Sequence, residues 1–286
     1  MQYLLPSCSR SDAGHATRAL LVADRAGGRT VIRKQNVGYP LHVTRPFRLD
    51  RNRPDLATLY LQSASGGLYA GDDVSLDLTV GTDAALHLTT QASTVVHDGR
   101  ALGSCQSQTI TVQSGGFCAI ISDPLILFPA ARLSLATAAV VAHDAVLILA
   151  DGFAVHDPAR RNKAFERFTS ATRVHRPGGD LLMSDRGSIA GRELTGPLGP
   201  LGGYTAAATV LVIAPADRCA DVAAMEVAAD RCGCLAGASR APNDAGIAMR
   251  ILAPDGGTLT RGIEAAFHVA AAAALGVDLA RRRKWT

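Results

Sequence analysis

The sequence contains few charged residues and few aromatic residues for its length. Of its 286 residues, 19% are charged and 5% are aromatic, and 29 Lys and Arg against 25 Asp and Glu leave a net charge of +4. Intrinsic disorder requires low hydrophobicity and high net charge, so a chain that is 48% hydrophobic is expected to fold. A nucleic-acid binder normally carries a concentrated basic face. A net charge of only +4 does not provide one, so no nucleic-acid partner is expected.

The sequence also lacks the features of a targeting signal and of a membrane span. Residues Met1–Arg10 contain no basic segment followed by an apolar one, which argues against a secretory signal. The longest apolar runs, Ala136–Ala150 and Ala206–Ala216, are interrupted and fall short of the roughly 18 residues that a spanning helix needs. We therefore expect a cytoplasmic protein without a membrane partner, whose six cysteines are reduced.

Alternation of apolar and polar residues is the main secondary-structure signal. Val74, Leu76, Leu78 and Val80 alternate with polar residues, and similar units follow over residues 86–91, 109–121 and 133–149. No helical stripe of about ten residues separates these units, so they predict stacked β rungs and not a parallel α/β sheet. The segment Gly187–Gly203 is rich in glycine and proline and is predicted to be a loop.

Helical patterning begins only after Pro215. One helix is predicted from an Asp217 cap to about Arg231, and a second from a Thr260 cap to about Leu275. The sequence therefore predicts a mainly β fold of stacked, β-helix-like rungs with two helices in the C-terminal quarter. Because no linker is evident, residues 1–286 are predicted to form a single β-rich domain.

Two short segments are candidates for function, although the common hydrolase and nucleotide-binding motifs are absent from the sequence. The glycine-rich segment Gly66–Asp72 predicts a tight turn, which either presents the Asp72 carboxylate or is an ordinary hairpin turn. The segment Thr89–Thr94 is a run of small polar residues at a strand end. It either lines a hydrated channel or forms a solvated strand edge. The pair Cys232 and Cys234 has no second pair beside it and is predicted to lie in a loop.

Three His-Asp pairs permit a different interpretation, at residues 97–98, 143–144 and 156–157. Adjacent residues on a strand point to opposite faces, so each pair supplies at most one ligand to one site. If several pairs converge, imidazole and carboxylate groups would hold a divalent ion. The alternative function is then an all-β metal-dependent hydrolase. If they do not converge, they are scattered surface residues.

Several ordered segments resemble those of a known family. Ser65–Asp72, Leu76–Thr82 and Leu88–Thr94 resemble the urease accessory protein D family, named H in some bacteria. The family pattern runs approximately S-G-G-L-x-x-G-D, then a strand and a turn, then T-T-Q-x-x-T. Further matches lie at residues 122–131, 168–186 and 283–285, so the resemblance covers about residues 17–286. The sequence departs from the pattern at residues 95–98, where the family carries a basic and an aromatic residue.

This resemblance implies a non-enzymatic maturation factor that forms a right-handed β stack with two helices. It implies binding of apo-urease on one side and of accessory protein F on the other, in a two-to-two complex with F. Through F, it implies contact with accessory protein G, the GTPase that delivers nickel. Nickel is then expected to pass transiently through an internal tunnel to the urease active site, and no tightly bound cofactor is expected.

A passage for a hydrated divalent cation requires weak, exchangeable oxygen ligands, because thiolate cages would trap the ion. Given the resemblance, the predicted lining residues are Asp72, Thr89, Thr90, Ser93 and Asp123. Gly66, Gly67 and Gly71 are predicted to shape the adjoining turn.

Overall fold

A computed structural model describes residues 15–194, 199 and 201–281 and shows a chain built mainly of strands. The strands are β1 (Ala16–Ala26), β2 (Arg29–Val37), β3 (Leu41–Val43), β4 (Ala57–Ser63), β5 (Asp73–Val80), β6 (Ala85–Thr90), β7 (Val95–Val96), β8 (Ser104–Val112), β9 (Phe117–Ile121), β10 (Leu125–Leu127), β11 (Arg132–Val141), β12 (Val146–Val155), β13 (Arg167–His175), β14 (Leu181–Ala190), β15 (Ala206–Ile213), β16 (Leu235–Arg240) and β17 (Gly246–Ala253). The helices are α1 (Val222–Asp230) and α2 (Gly256–Leu275).

The strands wind into a β-solenoid of about four turns, which confirms the predicted stack of rungs. The first sheet has the order β14-β13-β11-β8-β5-β1-β2, and the second has the order β16-β17-β15-β12-β9-β6-β4-β3. Strands β1, β5, β8, β11 and β13 are parallel neighbours in the first sheet, as are β4, β6, β9 and β12 in the second. Successive turns of the chain therefore add one strand to each sheet.

Alternation predicts the exposed and buried faces correctly along β5 of the first sheet but not along β6 of the second. Along β5, Leu76, Leu78 and Val80 are buried and the residues between them are half-buried. Strand β6 is instead buried on both faces over residues 85–89. Helix α2 covers its outer face, where the His87 ring packs on Phe267 with ring centroids 4.7 Å apart. The second sheet is thus the central layer, lying between the first sheet and the helices.

Both predicted helices are present, but neither predicted cap is correct. Helix α1 is capped by Asp221, whose carboxylate accepts a hydrogen bond from the Ala224 amide at 2.8 Å. Asp217 instead lies in a short 3-10 turn before the helix. Helix α2 is capped by Asp255 and begins four residues before Thr260. A cap must directly precede the first helical residue, and the sequence pattern did not resolve which polar residue does so.

Three further differences from the sequence analysis concern local features. Strand β14 continues through Ala190, so the predicted loop begins later, and residues 195–198 and 200 of that loop are outside the described part. Strand β16 was not predicted, because its small residues alternate weakly. Cys105 is disulfide-bonded, so the prediction that all cysteines are reduced is wrong for this residue. Within the described ranges, no helix has the length and apolar character of a membrane-spanning segment.

Candidate functional site: an internal polar passage

A polar layer separates two hydrophobic clusters between the facing sheets. Along β11, Thr137 lies between Leu135, which belongs to one cluster, and Ala139, which belongs to the other. Along β12, Asp151 is placed in the same way between Phe153 and Leu149. Because side chains on one face recur at every second residue, these polar groups point into the space between the sheets.

Strand register aligns these polar side chains in two rows. In the first sheet, Thr137 is paired with Gln108 on one side and Thr172 on the other, and Thr172 is paired with Asp185. In the second sheet, Asp151 is paired with Thr209, and Thr209 with Arg250. Thr90 and Ser122 extend the second row, one position beyond the paired strand ends. Because the rows cross the strands, they run along the solenoid axis.

Three cavities lie along these rows. The first cavity, of about 430 Å³, includes Thr17, Tyr39, Asp72, Thr90 and Gln106 in its lining. The narrow cavity, of about 40 Å³, shares Thr90 and Gln106 with the first and adds Gln108 and Ser122. The second cavity, of about 400 Å³, includes Asp151, Thr172, Asp185, Thr209 and Arg250. We call the rows and these three cavities the polar passage.

The two large cavities reach the protein surface toward opposite ends of the rows. Tyr39, which lines the first cavity, is 85% exposed. The residues 186–188, which line the second cavity, are exposed on β14. The polar passage therefore has two mouths, separated by the narrow cavity and by the paired residues around Thr137.

Charged groups concentrate in the second cavity. Burial and, to a smaller extent, the negative charge of Asp185 together raise the pKa of Asp151 to about 6. The Asp185 carboxylate forms an ion pair with Arg250, whose Nη1 lies 3.1 Å from Asp185 Oδ2 and also donates to the Thr209 hydroxyl. Arg186 also lines this cavity, so when Asp151 is ionised the lining holds two carboxylates and two guanidiniums. Arg250 is paired with Asp185, and no ion pair of Asp151 is found among the described residues, which leaves the Asp151 carboxylate available to a cation.

The narrow cavity contains a polar atom that the protein itself does not satisfy. The side chain of Gln108 is 7% exposed, and its Oε1 has no hydrogen-bond partner among the described residues. Buried carbonyl oxygens nearly always have a partner, which is protein, water or an ion. Gln108 Oε1 is thus an unsatisfied buried acceptor on a residue that lines the narrow cavity.

Two of the five predicted lining residues contribute side chains to the polar passage. Asp72 lines the first cavity, and its Oδ2 accepts a hydrogen bond from the Tyr69 amide at 2.8 Å. Thr90 borders both the first and the narrow cavities. Its hydroxyl accepts a hydrogen bond from the Asp123 amide at 2.8 Å, which holds the strand end in place.

The other three predicted residues are placed differently. Thr89 borders the narrow cavity, but its hydroxyl donates to the Ile121 carbonyl at 2.6 Å. Ser93 lines a separate groove of about 200 Å³ beside the passage. Asp123 lines none of these cavities, and its amide supports Thr90.

Steric constraints explain why glycine occupies the predicted turn. Gly67 has a φ of +136°, and a Cβ there would lie 2.2 Å from the Val95 carbonyl oxygen. Gly71 has a φ of +87°, which also favours glycine. A Cβ at Gly66 would lie 2.8 Å from the Tyr69 hydroxyl. Of the three, Gly67 lets the turn approach β7 closely and lines the first cavity.

The three His-Asp pairs have local roles. Asp98 accepts a hydrogen bond from the Arg100 amide, and Asp144 accepts one from the Ser114 hydroxyl. Asp157 accepts hydrogen bonds from the amides of residues 159, 161 and 163, which lower its pKa. In the part of the chain that the structure describes, no three His, Cys, Asp or Glu side chains are grouped to hold a metal ion. The geometry therefore gives no support to the hydrolase alternative.

Sequence reasoning missed Asp151, Arg250 and the role of Asp185. Asp151 carried a usable signal, because it is a lone carboxylate within the apolar strand Val146–Val155. A charge at the centre of a buried strand points to a functional or paired group. Arg250 and Asp185 carried no comparable signal, since their proximity depends on the packing of two sheets.

The fold and the site together define a β-solenoid protein with rows of oxygen-bearing side chains and cavities between its two sheets. Residues 15–286 match a family model described as UreD urease accessory protein. Urease accessory protein UreD 3 of Bradyrhizobium sp. (strain ORS 278) is 63% identical over 284 residues, which cover 99% of this chain and 100% of the relative. UreD 1 of Bradyrhizobium sp. (strain BTAi1 / ATCC BAA-1182) is 59% identical, with 97% and 98% covered. UreD 1 of Pseudomonas syringae pv. tomato is 30% identical, with 98% of each chain covered. The chain belongs to the UreD family of urease accessory proteins, which confirms the resemblance.

Proposed function

We propose that this protein is a non-enzymatic maturation factor that conducts Ni²⁺ through the polar passage toward the active site of urease. Family membership supports a role in urease maturation. The main support for transport through the polar passage is the alignment of oxygen-bearing side chains between its two mouths. Nickel is the cargo of this process and not a resident cofactor.

The side chains along the passage have the chemistry that transfer of a hydrated divalent ion requires. Hydroxyl, amide and carboxylate oxygens bind such ions weakly and exchange readily, whereas thiolate and imidazole groups bind nickel more firmly. Conduction requires binding that is strong enough for entry and weak enough for release. Asp72 at one mouth and Asp151 near the other provide the attraction, and neutral oxygens lie between them.

Two mouths imply two partners, one that supplies the ion and one that receives it. We propose apo-urease as the receiver and accessory protein F, acting with the GTPase accessory protein G, as the supplier. The two-to-two complex with protein F is part of the same proposal. The exposed rings of Tyr39 and Tyr69 at the first mouth support docking there, because aromatic side chains are enriched at protein interfaces.

The experiment is to block the passage at its narrowest point. Ser122→Leu adds bulk to the narrow cavity, and Ser184→Leu makes the same change on the exposed outer face of β14. Urease activation is measured with apo-urease, accessory proteins F and G, and Ni²⁺. Partner binding is measured by pull-down for each variant.

We expect Ser122→Leu to bind its partners and to slow activation by at least about tenfold, equivalent to a barrier increase of about 1.4 kcal/mol. Ser184→Leu is expected to activate urease as the unmodified protein does. Full activation by a folded Ser122→Leu variant would show that the ion does not travel through the passage. Loss of partner binding in both variants would instead show that the surface and not the passage was disturbed.

A further inference from the structure

Two cysteines lie together at the turn between α1 and β16, away from the polar passage. Cys232 Sγ lies 3.6 Å from the Arg261 carbonyl oxygen, and Cys234 Sγ lies 3.5 Å from the Thr258 carbonyl oxygen. These two carbonyls are three residues apart on α2, which is less than one helical turn. Both sulfurs therefore lie against the same turn of the same helix.

The chain turns at the glycine between the two cysteines. Gly233 has a φ of +88°, in the left-handed region that favours glycine. Residues separated by one position are at most about 7 Å apart between Cα atoms when extended, and they are closer within a turn. A disulfide typically requires a Cα separation of about 4.4 to 6.8 Å. The length of chain between the two cysteines thus permits a separation within this range.

Helix α2 provides a space that accommodates the second thiol. A Cβ at Gly262 would lie 2.5 Å from Cys234 Sγ. The glycine therefore lets this thiol pack directly on the helix backbone. Burial raises the pKa of Cys234 to about 11, and the nearby charge of Cys232 acts in the same direction.

We propose that Cys232 and Cys234 form an oxidation-sensitive dithiol that closes to an intramolecular disulfide when a peroxide reacts with the protein. Cys232 is assigned as the attacking thiol, because the Cys234 thiol packs directly on the α2 backbone at Gly262. The Cys232 thiolate attacks a peroxide oxygen, the O–O bond breaks, and the alkoxide or hydroxide leaving group takes up a proton. Cys232 is then a sulfenic acid.

The second step completes the exchange of two electrons. The Cys234 sulfur attacks the Cys232 sulfur, the S–S bond forms and the S–O bond breaks. The departing hydroxide takes the Cys234 proton and leaves as water. The two thiols are oxidised and the peroxide is reduced. The product links the end of α1 to the residue that precedes β16, the edge strand of the second sheet.

Peptide mapping of the full-length protein tests this proposal. The protein is treated with hydrogen peroxide, alkylated without reduction, digested and analysed by mass spectrometry. We expect alkylation of Cys232 and Cys234 to fall at least about tenfold together, with their shared peptide lighter by two hydrogens, and a thiol reductant to restore it. The Cys219→Ser variant is the matched control, because it removes a half-buried thiol elsewhere and should leave the result unchanged.

A second variant distinguishes the order of attack. In Cys234→Ser, we expect Cys232 to be trapped as the sulfenic acid, which a dimedone adduct would reveal. Continued alkylation of both cysteines after peroxide treatment of the unmodified protein would overturn the proposal. Linkage of Cys232 to a different cysteine, or to a second copy of the chain, would also overturn it. The mapping of the unmodified protein decides the question even if the variant does not fold.

Discussion

Replacement of Asp151 by asparagine should stabilise the folded protein. Burial and the charge of Asp185 raise the pKa of this carboxyl from its ordinary value of 3.8 to about 6. Each pKa unit corresponds to about 1.4 kcal/mol, so holding the ionised carboxylate inside the fold costs at most about 3 kcal/mol at neutral pH. Asn has nearly the same shape and avoids this cost, because it carries no charge.

The raised pKa of Asp151 also determines how the stability gained by Asp151→Asn changes with pH. A carboxyl with a raised pKa in the folded state contributes stability below its unfolded pKa, and this stability is lost as pH rises through about 6. The advantage of Asp151→Asn should therefore be largest above pH 6. We expect it to be about 3 kcal/mol at pH 7.5 and about half of that at pH 5.

Urea unfolding at both pH values measures this effect. Asp180→Asn, at an exposed turn between β13 and β14, is the matched control and should change the free energy of unfolding by less than about 0.5 kcal/mol at either pH. If Asp151→Asn is no more stable than the unmodified protein at pH 7.5, or if its advantage grows on acidification, then Asp151 is not held as a buried carboxylate. A more stable variant that also activates urease more slowly would show that the charge is retained for function.

Three further changes test other parts of the structure. Gly67→Ala should destabilise the protein by more than about 1 kcal/mol in urea unfolding, because the new Cβ would collide with a backbone carbonyl. An unchanged free energy of unfolding would contradict the turn geometry. Asp221→Ala should lower the free energy of unfolding by about 1 kcal/mol through loss of the α1 cap, and Asp217→Ala should lower it much less. Equal decreases in the two variants would refute the assigned cap. Thr30→Val should lower the free energy of unfolding by about 1 to 3 kcal/mol, because the buried Ala85 amide loses the Thr30 hydroxyl that accepts its hydrogen bond at 2.8 Å. An unchanged unfolding curve would count against this contact.

The parts of the fold that were predictable depend on local patterns. Alternation along β5 and β11 predicted the rungs because each strand has one face in the hydrophobic interior. Alternation could not show that α2 would cover the outer face of β6, since that contact joins segments about 180 residues apart. The presence of both helices was evident from composition, but their first residues were not.

The candidate site was only partly predictable for a related reason. Thr90 and Thr89 are adjacent in sequence and chemically alike, yet only the Thr90 side chain occupies the inner face of β6. A shift of one residue reverses the face on which a side chain lies, so a run of hydroxyl residues does not reveal which ones face inward. Asp151 and Asp185 meet only because the two sheets face each other at matching levels.

Location of Ni²⁺ within crystals of the protein tests the proposed passage most directly. Anomalous diffraction at the nickel absorption edge identifies the metal independently of any assay of urease. We expect peaks beside the oxygens of Thr90, Ser122, Asp151 and Asp185, and we expect the peak in the second cavity to weaken in Asp151→Asn. Peaks confined to surface histidines, with none along the polar passage, would contradict the proposal that nickel travels through the solenoid.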